Sequence, residues 1–141
     1  MILRREAIEE RLKKLDEILE ELSKYRDIGW EDFQASLSQR WVVERGLIAA
    51  ASMIFEIADH ILAGYFASYA ETYEESLERL VHKGVLSEKL YQQVKGLGGF
   101  RNILIHGYLD INPRVVFENF HKALDIFPRF AQEILMWLQS V

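Results

Sequence analysis

The chain has 141 residues, of which 50% are hydrophobic and 28% charged. That size and composition suit a single folded domain spanning 1–141 with one core, and exclude a chain too polar to fold. There is no cysteine and the formal net charge is −5, which rules out disulfides, a thiol nucleophile and a thiolate metal site, and argues against a surface coated in basic charge for gripping duplex DNA.

The predicted elements are all helical. The opening stretch, MILRREAIEERLKKLDEILEEL, mixes charges of both signs and is neither a signal nor a transit peptide. Within it Ile8, Leu12, Leu15, Leu19 and Leu22 recur at three- and four-residue steps, a single apolar stripe on a helix that should stop near Ile28-Gly29. The next segment, from about Glu31 to about Tyr69, has no proline and no turn cluster. It reads as one long helix, in which Gly46 and Gly64 either loosen the helix or let a neighbour approach closely. It is apolar on most faces and so belongs at the centre of a bundle or at a dimer face.

Thr72 with Glu75 three residues on fits a capping box, and Gly84 fits a stop. Ser87 caps a further segment in which Leu90, Val94 and Leu97 keep helical spacing. Gly96, Gly98 and Gly99 weaken that spacing, by up to ~1 kcal/mol each relative to alanine. Two readings fit: a loop here, or, as preferred, a helix carried through them because a neighbour packs tightly on the glycines. The last helix should begin at Asn112-Pro113 and carry Val116, Phe120, Ala123, Phe127, Phe130, Ile134 and Leu138 as its stripe, with a kink at Pro128. The fold class is therefore all-α, a compact bundle of about five helices. No apolar stretch nears the roughly 20 residues of a bilayer span. A cytoplasmic protein with no membrane partner is the expectation.

Charge and chemistry concentrate in one region. Residues 79–129 carry 8 Lys/Arg against 4 Asp/Glu, whereas residues 1–70 carry 9 against 13. Inside the positive stretch lies FRNILIHGY, residues 100–108, an aliphatic run bracketed by Arg101, Asn102, His106 and Tyr108. On a helix Arg101 and Tyr108 share one face and Asn102 and His106 an adjoining one, while Ile103 and Leu104 turn into the bundle. Histidine exchanges protons near neutrality, and arginine offers a charged fork shaped for phosphate oxygens. A phosphodiester attacked by its neighbouring 2′-hydroxyl gains negative charge, which Arg101 can stabilise while His106 moves the proton. Spacing alone favours a surface ion-pairing and capping cluster over a catalytic site.

The string GFRNILIHGY holds Arg-x-x-x-x-His-x-Tyr with Asn directly after the Arg, and it resembles the HepT-like branch of the HEPN superfamily. RWVVERGLIAAASMIFEIADHILA and ETYEESLERLVHKGVLSEKL resemble that family's second helix and middle segment, so the likeness covers nearly the whole chain. The resemblance implies a metal-independent endoribonuclease toxin of a type VII (MntA/HepT-like) toxin–antitoxin system acting on RNA without a cofactor. It implies a motif on the penultimate helix, Arg101 and His106 as the catalytic pair, and Asn102 and Tyr108 as supporting residues. It further implies a homodimer or higher homo-oligomer, and a cognate MntA-like nucleotidyltransferase that silences the toxin by transferring AMP to Tyr108. Added phosphate there would sit where RNA phosphate must bind. Gly107 stands where many relatives carry a charged residue.

The alternative reading is a non-catalytic HEPN module that binds a nucleotide or a partner domain in the same cleft. A plain scaffold for the nucleotidyltransferase is a third. His60, beside Asp59, is read as part of a polar patch, and His82 and His121 stand alone without metal-ligand spacing. GLGGF lacks the Lys-Ser/Thr of a phosphate loop. Trp30, Trp41 and Trp137 are assigned to core or interface.

Overall fold

The computed structural model describes residues 3–107 and 109–141. Among these, every regular element is helical: α1 (Arg5–Ser23), α2 (Trp30–Ala35), α3 (Leu37–Phe66), α4 (Tyr73–His82), α5 (Glu88–Val94), α6 (Leu97–His106) and α7 (Pro113–Ser140). The excess over five comes from two breaks. At Ser36 the backbone turns extended, and the serine Oγ accepts the amide of Gln39 at 3.2 Å, capping α3. At Gly96 the chain adopts φ +90, a left-handed turn that separates α5 from α6.

The other boundaries follow local chemistry. The first helix ends earlier than expected, at Ser23, and passes through i→i−3 bonded turns to Ile28. The long helix stops at Phe66 because Ala67 turns left-handed (φ 50), allowing the Ser68 amide to reach back to the Leu62 carbonyl at 2.9 Å. Thr72 Oγ1 accepts the Glu75 amide at 3.1 Å, but the Glu75 carboxylate reaches the amide of Glu71, one residue before its place in the usual capping box. Ser87 caps α5 and is itself held by Glu133 of α7 through its amide (2.7 Å) and hydroxyl (2.8 Å). Asn112 caps α7 with Pro113 in its first turn. Pro128 does not end that helix, which continues to Ser140 with the proline exposed.

The apolar stripes meet in one contiguous core. All five predicted stripe residues of α1 and all seven of α7 are buried. The α3 helix runs through the middle, packed against α1, α2, α4, α6 and α7. By length and composition α3 is also apolar enough to cross a membrane, contrary to the sequence expectation. Here ten of its residues lie in the bundle core. Gly46 lets the Leu22 side chain of α1 lie against the α3 backbone.

Candidate functional site

The motif helix α6 is short and rests on few contacts. Gly98 and Leu104 are its only buried residues. Leu104 points into the bundle as the sequence suggests, but Ile103 does not: it is 49% exposed. A ten-residue helix touching the bundle along one edge can bury only a narrow stripe, and Ile103 falls outside it.

The start of α6 is pinned from α4. Glu74 accepts the Gly96 amide at 3.0 Å with one oxygen and the Tyr91 hydroxyl at 2.9 Å with the other. Burial, together with the Glu74 and Glu78 carboxylates, pushes the Tyr91 phenol well above its ordinary value, so this hydroxyl stays protonated as a donor. At Gly98 a Cβ would come within 2.9 Å of the Tyr73 Cβ. This is a tight neighbour of the expected kind, but at this glycine alone: the helix is not carried through Gly96, where the chain turns left-handed. Gly99, by contrast, faces open space.

Arg101 leaves α6 toward α3 and α4. Its Nε donates to Ser52 Oγ at 3.1 Å, and Nη1 lies 3.5 Å from the Tyr73 hydroxyl. The guanidinium carbon stands 5.3 Å from the Tyr73 ring centroid, within cation–π range. Tyr73 in turn stacks on buried Phe55, with ring centroids 4.4 Å apart. Among the described residues no carboxylate pairs with Arg101, whereas Arg79 and Arg114 of the same positive stretch pair with Glu75 and Glu118. Asn102 and His106, four residues apart, are both exposed. No hydrogen bond joins His106 to Arg101 among the described residues. Tyr108 lies outside the described residues.

Clefts flank the motif helix. A cavity of about 550 Å³ runs between α6 and the start of α4 and is lined by Asn102, Gly98, Tyr73 and the carboxyl-bearing Asp59, Glu71 and Glu74. Burial raises the pKa of Asp59, against the opposing pull of His60. A second groove, about 460 Å³, lies between α6 and α7; Phe100, Ile103, Val115 and Ile126 make it apolar, and Lys95 and Lys122 edge it with positive charge.

The remaining histidines sit apart. Burial, with Arg11 and Arg4 nearby, lowers the pKa of half-buried His60. The ring nitrogens of His121 lie 2.9 Å from the Phe117 carbonyl and 3.0 Å from that of Arg26, stitching α7 to the turn after α1. Trp137 is buried and Trp30 half-buried, but Trp41 is 62% exposed and is no part of the core. Sequence reasoning brought Arg101, Asn102 and His106 to one helix. It did not single out Ser52 and Tyr73, which lie 49 and 28 residues from the arginine they touch and carry no local signal.

Comparison with known proteins fits this architecture. The chain is 31% identical over 131 residues to the tRNA nuclease HepT of Aphanizomenon flos-aquae (strain 2012/KM1/D3), covering 93% of this chain and 89% of that protein. The fold superposes on the cytosolic protein of unknown function YutE from Bacillus subtilis with a TM-score of 0.81 at 19% identity, over 99% of this chain and 94% of that one. It superposes equally on the tri-AMPylated Shewanella oneidensis HEPN toxin in complex with the MNT antitoxin, with a TM-score of 0.83 at 19% identity, over 92% and 96% of the two chains. A sequence model described as ribonuclease HepT-like matches residues 8–134. With its all-helical fold and its Arg-x-x-x-x-His motif on the penultimate helix, the chain belongs to the ribonuclease HepT-like family.

Proposed function

We propose that this chain is a metal-independent endoribonuclease, folded as one domain over residues 1–141, with Arg101 and His106 as its catalytic pair. The observation that carries this is the state of Arg101. Its guanidinium is held on the motif helix by a hydroxyl and an aromatic ring rather than by a carboxylate, so its positive charge is not neutralised locally. Arg101 would bind the scissile phosphate and stabilise the charge that builds on its oxygens. His106, exposed about a turn and a half along α6, would take the proton from the attacking 2′-hydroxyl as its oxygen bonds to phosphorus and the bond to the 5′-oxygen breaks, the 5′-oxygen leaving with a proton from water. Asn102 and Tyr108 would support the substrate.

The regulatory reading follows from the relatives. The Shewanella oneidensis toxin is AMPylated and bound to an MNT antitoxin. For this chain we infer a toxin role in the cytoplasm, a homodimer or higher homo-oligomer that brings motifs together, and a cognate MntA-like nucleotidyltransferase that modifies Tyr108. AMP on that tyrosine would bring negative charge into the region where RNA phosphate binds.

The test is cleavage of RNA in EDTA by the wild-type protein, Arg101→Ala and His106→Ala. Loss of cleavage in both variants, with wild-type activity intact in the chelator, supports the assignment. Equal cleavage by all three proteins would trace the activity to a contaminant. A second reading, a non-catalytic nucleotide- or partner-binding module, draws on the acidic cavity beside Asn102, whose carboxylates suit the amino groups of a base better than phosphates. Asn102-dependent nucleotide binding without RNA turnover would select it.

A further inference from the structure

We propose that Ser52 and Tyr73 are positioning residues that aim the Arg101 guanidinium at the scissile phosphate. The inference rests on the ribonuclease reading above and adds the two side chains that reading lacks. An arginine side chain has many rotamers, and a half-exposed one on a short helix would sample them unless something selects one. Three contacts do so here. Ser52 Oγ donates to the Ile48 carbonyl of its own helix at 2.9 Å and accepts from Arg101 Nε at 3.1 Å. The hydroxyl is therefore fixed on one side by the α3 backbone and offers its lone pair to the arginine on the other.

Tyr73 supplies the second and third contacts, through its ring face and its hydroxyl. That ring, part-exposed on its outer side, stacks on buried Phe55, and its Cβ lies against the bare backbone of Gly98. Arg101 is thus braced from α3 and α4 at once. The bracing uses Nε and one edge of the guanidinium, and Nη2 takes no partner among the described residues. Both braces are uncharged. A carboxylate would hold the arginine as firmly, but it would compete with the phosphate for the same fork of donors. A hydroxyl and an aromatic face fix the geometry and leave the charge in place.

The test uses the full chain and a fluorogenic RNA oligonucleotide in EDTA under single-turnover conditions. The variants are Ser52→Ala, Tyr73→Leu and Tyr73→Phe, each alone and combined with Arg101→Ala. Ser52→Ala and Tyr73→Leu should each lower the cleavage rate about 10- to 100-fold, the scale on which a ~1 Å misplacement acts. Tyr73→Phe keeps the ring and should retain most of the activity. On the Arg101→Ala background neither Ser52→Ala nor Tyr73→Leu should lower the residual rate further, because both act through the arginine. Losses that persist undiminished on that background overturn the proposal.

A second readout does not depend on activity. The Arg101 Nε–H resonance of the wild-type protein should be resolved and slow to exchange with water. In Ser52→Ala it should exchange at the rate of a free arginine. An Nε–H signal unchanged by Ser52→Ala sinks the positioning role even if the protein cleaves RNA. A wild-type protein that cuts no RNA but shows the predicted Nε–H change loses only the ribonuclease reading.

Discussion

Helices α6 and α7 sit side by side in the chain and are held in opposite ways. The 28-residue α7 buries nine side chains in a continuous stripe, so its place is set by apolar area spread over its whole length. The ten-residue α6 buries two residues and is fixed instead by point contacts: Glu74 on the Gly96 amide, Tyr73 on Gly98, and Arg101 on Ser52 and Tyr73. The long helix helps build the core. The short one carries the motif residues Arg101, Asn102 and His106, and each of its few contacts is made by a different side chain.

Substitutions that separate the two helices test this difference. The largest effect belongs to α6. His106→Ala should reduce RNA cleavage by about 10²–10⁴-fold, the usual contribution of a general acid–base group. The melting temperature should barely move, because the side chain is exposed. Phe130→Ala in α7 should do the reverse. Removing a fully buried ring should cost about 3–5 kcal/mol in urea unfolding, with cleavage by the remaining folded protein preserved. A stable Phe130→Ala protein would mean that α7 is less essential to the core than its burial indicates.

The two glycines of α6 sharpen the contrast within one helix. Gly98→Ala would push the Tyr73 Cβ, so the protein should lose both stability and cleavage despite alanine's better helix propensity. Gly99→Ala meets nothing within 4 Å and should gain up to ~1 kcal/mol of stability. If the two substitutions behave alike in thermal melts, the close approach of Tyr73 does not matter. At α4, Thr72→Ala removes a cap and should cost about 1 kcal/mol.

The smallest effect is electrostatic. Burial raises the pKa of Glu44 above its ordinary 4.5, so its charge penalises the folded state. Glu44→Gln should therefore raise the melting temperature at pH 7. That gain is full above the raised pKa and should fade as the pH falls toward and below 4.5, where the wild-type carboxyl is protonated in both states.

Long amphipathic elements were legible in the sequence because each stripe residue repeats the same signal. Ile8 to Leu22 and Val116 to Leu138 define their helices many times over. Single-residue events were not. The break at Ser36 carries neither glycine nor proline, and the stop at Ala67 puts an alanine in the left-handed region where glycine is usual. Ile103 looked like core by its chemistry and proved exposed by its angle on a short helix. At the site, Arg101, Asn102 and His106 could be found because they lie within six residues of one another. The braces on Arg101 come from α3 and α4, and no spacing rule links Ser52 or Tyr73 to it.

The three tryptophans lie at three depths: Trp137 within the core against Tyr65 and Phe66, Trp30 half-covered by Phe33, Phe117 and the Arg114 guanidinium, and Trp41 open to water on α3. Intrinsic fluorescence from this chain is therefore a built-in gauge with separate ranges. Anything that settles over the amino-terminal part of α3 would shift the Trp41 emission to shorter wavelength. The Trp137 signal, already in an apolar setting, would stay silent until the bundle itself comes apart.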